Sequence, residues 1–257
     1  MPLLEGRVAV VTGATGIVGS GVASAFLAEG AAAVVAPARS AAGRAALLAE
    51  LGAPPALDVP VCDYSTPEGA AALAVHLRQR FPQGVDVAVS SFGGAFTRGN
   101  LTELTPAAAH EALDRAVPHL TLAKELVPLM RTGAASAYVF VSGMLGEECS
   151  IPGAAALSLA NAALYGIIRA LEAELASKGS PLRVFELRIQ ALLRKDGGGA
   201  HPFVAAASGG KAFASSLVGA EAAALAAGAR PGAVVRLRAA DMEERERASA
   251  AESAAAL

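Results

Sequence analysis

Residues 7–11 of the chain, Arg-Val-Ala-Val-Val, run straight into Thr12-Gly13-Ala14-Thr15-Gly16-Ile17-Val18-Gly19, and a helical pattern follows over Gly16–Glu29. A β-branched run, a turn with three glycines and a helix, in that order, leave few folds open. Gly13 allows the tight turn, and Gly16 lets the backbone approach a pyrophosphate. Gly19 lets the helix pack closely on a sheet. The free N–H groups and the dipole at the helix start then face an anion, with Thr15 and Ile17 among the contacts. A strand-to-helix turn without a ligand is the plainer reading, and the strand, turn and helix context disfavours it. The run lacks the Lys-Ser/Thr ending of a nucleoside-triphosphate loop, so ATP hydrolysis is not expected.

The rest of the chain repeats the alternation. Strands are expected at Ala33–Ala36, Val59–Cys62, Val85–Val89, Ala137–Val141, Leu182–Leu187 and Ala233–Leu237. Helices are expected at Ala41–Leu51, Pro67–Phe81 with Ser65 or Thr66 as N-cap, Pro106–Met130 broken by Pro118, Gly153–Ala176 and Lys211–Ala227. Short strands alternating with longer helices give an α/β fold, a Rossmann-like doubly wound parallel sheet of about seven strands with helices on both faces. Gln190–Gly210 is rich in Gly and Ala and reads as a mobile loop. No repeat or linker divides the chain, so residues 1–238 read as one domain. Residues 239–257, with Glu243-Glu244-Arg245-Glu246-Arg247 and then small residues, read as a frayed helix or a disordered tail.

Composition bounds the partners. The 257 residues suffice for a sizeable core, and alanine supplies much of the 54% hydrophobic fraction. A formal net charge of −2 gives no electrostatic footprint for nucleic acid. Two cysteines, Cys62 and Cys149, cannot frame a chain of this size with disulfides, so a reducing, cytoplasmic setting is expected. The N-terminus lacks the basic-then-apolar order of a signal peptide. Cys149–Ile168 is uncharged and long enough to span a bilayer, but Pro152, Gly153, Ser158 and Asn161 favour a helix buried in a homo-oligomer.

Further residues fit a dinucleotide. Asp63, after the third strand, could accept from an adenine amino group with Tyr64 beside it, although an Asp there also suits a turn. After the second strand, Pro37-Ala38-Arg39-Ser40 offers no carboxylate for a ribose 2′-hydroxyl. Arg39 and Ser40 suit a 2′-phosphate instead, which favours NADP(H) over NAD(H).

These features together resemble the short-chain dehydrogenase/reductase family: the Thr12-Gly13 to Ala31 run, the Asp63 turn, Asp86-Val87-Ala88-Val89, the helix Ala162–Ala176 and Gly232-Ala-Val-Val. The likeness covers roughly residues 5–238, and the middle glycine stands one position earlier than in typical members. It implies hydride transfer at a carbonyl or alcohol carbon. In the family a tyrosine moves the proton, a lysine four residues on lowers its pKa and holds the ribose, a serine fixes the substrate oxygen, and an asparagine supports a relay. Tyrosine and lysine at that spacing share one helix face.

The same register here gives Leu157 at the tyrosine position and Asn161 at the lysine position. Leucine has no proton to transfer, and asparagine could hold a ribose but brings no charge. Gly143 stands nearest the catalytic serine position, with Ser142 before it. The asparagine-rich turn after the fourth strand reads Ser90-Ser91-Phe92-Gly93, keeping Gly93, with Ser91 as a cofactor contact. The helical asparagine falls near Arg115, and the Pro-Gly after the sixth strand becomes Ile189-Gln190. Ser142 and Ser158 are weak substitutes for the lost donor. Tyr165, with Arg169 four residues on, lies roughly 12 Å further along the helix than Leu157 and suits packing better than catalysis.

His76, His110, His119 and His201 show no metal-ligand spacing, and His119 is expected on a helix surface. Glu147-Glu148-Cys149 reads as a solvated acidic loop beside the substrate space. Three functions follow: an NADP(H)-binding sensor, regulator or silent subunit paired with an active homologue; an oxidoreductase with a non-standard proton donor; and a cofactor-independent lyase, isomerase or cyclase.

Overall fold

The computed structural model describes residues 1–93, 98–133, 136–196, 198, 212–229 and 233–255, the last seven as backbone. Strand β1, Val8–Thr12, is buried at every position, as an all-parallel sheet covered on both faces requires. Alternate residues serve opposite layers: Ala9 and Val11 enter one apolar cluster, Val8 and Val10 the other. Helix α1 follows at Ile17–Ala28, then β2 at Ala33–Val35.

Helix α2, Ala41–Leu51, starts where the Ser40 hydroxyl accepts from the Gly43 N–H and ends at Gly52 in the left-handed region. Strand β3 is Leu57–Asp58, earlier than the expected Val59–Cys62. Pro60 has no N–H to continue the ladder as a donor, yet the chain still runs beside β2, with the Cys62 N–H reaching Ala38 O. Helix α3, Pro67–Arg80, is capped by Thr66 and carries Glu68 in its first turn and Arg80 in its last, in keeping with the dipole.

Strand β4 is Val87–Ser90, and the expected break near Pro118 separates α4, Pro106–Asp114, from α5, Val117–Leu126. Strand β5 is Ala137–Gly143, α6 is Ala155–Ser177 and β6 is Arg183–Gln190.

The described part of the expected Gln190–Gly210 loop is ordered by pairing. Strand β7, Leu193–Arg194, lies parallel to β8, Phe213–Ala214, because Leu193 and Phe213 both reach the core. Residues 199–211 lie outside the described residues. Helix α7 is Ser215–Ala227, β9 is Val234–Arg238, and α8 is Ala239–Ala255. The seven-stranded sheet has the order β3-β2-β1-β4-β5-β6-β9, and every pairing is parallel. It is a doubly wound Rossmann-like sheet, with α1, α2 and α7 packed on one face and α3, α5 and α6 on the other.

Two glycines set how closely the first layer packs. A Cβ on Gly219 of α7 would lie 2.2 Å from Gly21 O of α1, and one on Gly21 would lie 2.3 Å from Ser215 O. The two helix backbones therefore touch, and α7 fixes the height of α1 above the sheet. Segment 239–255 rests on the same layer through buried Met242 and an Arg245–Glu221 ion pair at 2.6 Å. Among the described residues no helix is long and apolar enough to cross a membrane, Cys149–Ile168 included.

Candidate functional site

The turn between β1 and α1 lies at the carboxyl end of the sheet, beside the end of β4. Gly13 has φ +80°, and a Cβ there would fall 1.8 Å from Ser91 O, so neither the conformation nor the space admits another residue. Gly16 donates to Gly13 O at 2.9 Å and is the N-cap of α1. As a glycine, that N-cap has no side chain to cap the first-turn N–H groups. A Cβ on Gly19 would meet Gly13 O at 2.3 Å, which shows the first turn folded tightly against the loop. With exposed Gly16 and half-buried Thr15, Ile17 and Val18, the arrangement is an anion-accepting backbone cradle. A pyrophosphate fits its chemistry.

Beneath the cradle the structure adds a hydroxyl. The Gly13 N–H donates to Tyr64 Oη at 3.0 Å, and burial raises the Tyr64 pKa, keeping the phenol neutral. Tyr64, Phe92 and His119 form a ring chain with centroids 5.2 Å apart at each step. His119 is buried rather than on a helix surface, because α5 turns its first-turn face onto the end of β4. Its Nδ1 shares a hydrogen bond with Ser90 Oγ at 2.7 Å, and burial lowers its pKa to about 4. The imidazole is therefore neutral near pH 7.

The expected adenosine contacts are partly assembled. Arg39 is exposed and Ser40 caps α2 at its side. A Cβ on Gly43 would lie 3.4 Å from Ser40 Oγ and 3.6 Å from Thr15 Cγ2, so the glycine loop and the start of α2 abut. Asp63 is exposed, but its Oδ1 accepts from Ser65 N–H and Oγ, the turn role also foreseen for it. Gly93 is exposed with open space at its Cα, and Ser91 is buried under Gly13.

At the other end, Leu157, Ser158 and Asn161 sit half-buried in the first turns of α6. A Cβ on Gly143 would lie 2.9 Å from Asn161 Nδ2, so Asn161 closes over the end of β5. The Tyr165 hydroxyl donates to Gly143 O, one helical turn further on. Ser142 is buried, and its hydroxyl donates to Glu186 Oε1 at 2.5 Å.

Glu186 also receives Nε and Nη2 of Arg188, each at 2.8 Å, and the Arg188 guanidinium lies 3.8 Å from the Tyr165 ring centroid. Arg188 Nη1 reaches Glu147 at 2.6 Å, and Arg236 binds the same carboxylate through two nitrogens. Glu147 is thus no free loop acid: hydrogen bonds from Arg236 and then Arg188 hold its pKa at about 2. Sequence reasoning missed Glu186, Arg188 and Arg236. Glu186 and Arg188, two apart on one strand, share a face, and that spacing was the available signal. Among the described residues no group of three His, Cys, Asp or Glu side chains gathers to hold a metal.

A doubly wound parallel sheet with a glycine cradle at the end of its first strand defines a Rossmann-type protein. The chain belongs to the short-chain dehydrogenase/reductase family, as the family model described as enoyl-(acyl carrier protein) reductase matches residues 13–184. Solved structures share the fold at low identity. The RhlG/NADP active-site complex of Pseudomonas aeruginosa has 22% identity and a TM-score of 0.79 over 94% of this chain and 99% of that one. A short-chain dehydrogenase/reductase from Serratia marcescens has 20% identity and a TM-score of 0.76 over 94% and 100%. A glucose/ribitol dehydrogenase of the family from Brucella melitensis has 22% identity and a TM-score of 0.74 over 91% and 96%. No curated protein matches the chain.

Proposed function

We propose that the chain binds NADP(H) and lacks the family's standard proton-transfer set, acting as a sensor, a regulator or a silent subunit beside an active homologue. One observation carries the reading: the cradle is intact while two of the hydroxyls near Leu157, those of Ser142 and Tyr165, are engaged elsewhere. Ser142 serves the Glu186–Arg188 pair, and Tyr165 serves the Gly143 carbonyl. Hydride transfer to a carbonyl leaves an alkoxide that needs a proton, and Leu157 has none to give. Asn161 can orient a ribose hydroxyl without lowering any pKa.

When bound, the dinucleotide would supply a hydride at its nicotinamide. Gly13, Thr15, Gly16, Ile17 and Gly19 would hold its pyrophosphate, Asp63 would border the adenine, and Gly93 and Asn161 would line the remainder; the Tyr64 and Ser91 side chains are buried under the loop and would support it from below. Arg39 and Ser40 favour a 2′-phosphate. The NADP and NADPH complexes among the fold relatives support that direction.

Titration with NADPH and NADH, followed by cofactor fluorescence, tests the binding half. Binding of NADPH in preference to NADH supports it, and binding of neither overturns it. Steady NADPH consumption with a panel of aldehydes and ketones would overturn the non-catalytic half. A second reading keeps hydride transfer with Ser158 as donor, since Ser158 and Asn161 share a face of α6. It requires that turnover vanish in Ser158→Ala.

A homo-oligomer is part of the proposal. Leu113 near the end of α4 and Val117 and Leu120 at the start of α5 are exposed, and α6, which packs against α4, leaves Ala162, Gly166 and Ala170 exposed as well. A monomer in sedimentation at micromolar concentration would count against it.

A further inference from the structure

We propose that Lys195 is a 2′-phosphate reader held in reserve by Glu50, so that specificity for NADP(H) over NAD(H) rests on a cation delivered from beyond β6 as well as on Arg39. The inference rests on the dinucleotide reading above. Lys195 Nζ lies 2.7 Å from Glu50 Oε2 and 3.4 Å from the carbonyl oxygen of Thr15, which belongs to the glycine loop. Its backbone is anchored on both sides. Leu193 is buried in the core beside β8, and Asp196 accepts from Ser215 Oγ and Ser216 N–H at the start of α7. The stem therefore begins at a fixed place, and only the four-carbon side chain is left to swing.

The position selects the phosphate. The pyrophosphate cradle is formed by the backbone from Gly16 to Gly19, on the inner side of the loop. Lys195 reaches that loop at the Thr15 carbonyl, while Glu50, its ion-pair partner, sits in the last turn of α2, about 15 Å along the helix from Ser40 at its start. Thr15 connects the two groups. Its carbonyl meets Lys195 and its methyl faces Gly43 in the first turn of α2, beside Ser40 Oγ. On this proposal a phosphate held against Thr15 and Ser40 draws the Lys195 ammonium off Glu50 and toward the start of α2, with the Thr15 carbonyl as the shared contact.

Exchange of partners is easy because the resting pair is weak. The Lys195 and Glu50 side chains are 35% and 32% exposed, and such ion pairs add little to stability. A phosphate carries more charge than a carboxylate and presents three acceptor oxygens, so it competes well for the ammonium. A ligand without the 2′-phosphate leaves the resting pair in place.

The test is titration of full-length wild type, Lys195→Gln and Glu50→Gln with NADPH and NADH, read as cofactor fluorescence, with thermal melts run in parallel. The expected result is a roughly tenfold weaker NADPH Kd in Lys195→Gln with the NADH Kd unchanged. Glu50→Gln is expected to tighten NADPH about two- to threefold by releasing the ammonium, again without effect on NADH. Lys195→Arg is expected to keep most of the NADPH preference. If wild type binds NADPH and Lys195→Gln binds it equally well, or loses NADH in the same proportion, the assignment of Lys195 is overturned while the cofactor reading stands. Weaker NADPH binding in Glu50→Gln would overturn the competition. Binding of neither cofactor by wild type would remove both readings together.

Discussion

Acidification should destabilise the fold through one buried imidazole. His119 is 2% exposed, with a pKa lowered to about 4 from an ordinary value of 6.5. Between these two values the unfolded chain binds the proton and the native protein does not, so stability rises with pH across the window. The effect is absent above about pH 6.5, grows as pH falls, and levels off below about pH 4. From about pH 7.5 to about pH 5 the linkage expression gives a loss of about 2 kcal/mol from this one group. For a chain of this size that is about 4–8 °C in melting temperature. His119→Asn keeps an acceptor for Ser90 Oγ and removes the titration. Melts of the two proteins over pH 5 to about 8 would separate His119 from the carboxylates, which titrate in both. Equal pH dependence in the two proteins, or a His119 imidazole resonance (the one missing from His119→Asn) titrating above about pH 6 in the wild type, would refute the reasoning.

Gly13→Ala combines a φ of +80° with a Cβ 1.8 Å from Ser91 O, and should weaken NADPH binding on the order of 100-fold in a fluorescence titration. Arg39→Ala should cost NADPH about tenfold in Kd and leave NADH unchanged, which calorimetry on both cofactors would check. Arg188→Met leaves Glu186 buried without its guanidinium and should cost about 3–5 kcal/mol, seen as a melting temperature about 10 °C lower.

Much of the fold was legible because its signals are local. The β-branched runs of β1, β4 and β5, the Thr66-Pro67 start of α3 and the Pro118 break each depend on a few neighbouring residues. They appear in the structure within a residue or two of where the pattern puts them. Strand β3 was placed late because Val59, Val61 and Cys62 look more strand-like than Leu57-Asp58, while the ladder with β2 is set by Ala56 and Asp58 carbonyls that no side-chain pattern reveals. The pairing of β7 with β8 joins residues about twenty apart across a Gly- and Ala-rich stretch. Only Leu193 and Phe213 seeking the same core identify it.

The site divides in the same way. Its glycines are readable because each answers a backbone constraint that is itself local: the positive φ of Gly13, the bare N-cap at Gly16, the close packing of Gly19. The charged groups are not readable, since their meaning lies in partners far along the chain. Glu147, Glu186, Arg188 and Arg236 come from three separate segments, and none is a motif by itself. Burying Arg188 and Glu186 is costly unless every donor and acceptor is met, and here Ser142, Glu147 and the Tyr165 face complete the set. That completeness has a functional consequence. A side chain that must satisfy a buried carboxylate is a poor proton donor to a substrate, because each proton it gave up would add negative charge beside Glu186. On the reading proposed above, this engagement of Ser142 is what leaves binding without turnover at this end of the sheet. On the proposed register, with Asn161 at the lysine position, Leu157→Tyr alone is expected to leave NADPH consumption with aldehydes and ketones at background, and steady consumption by that variant would refute the register.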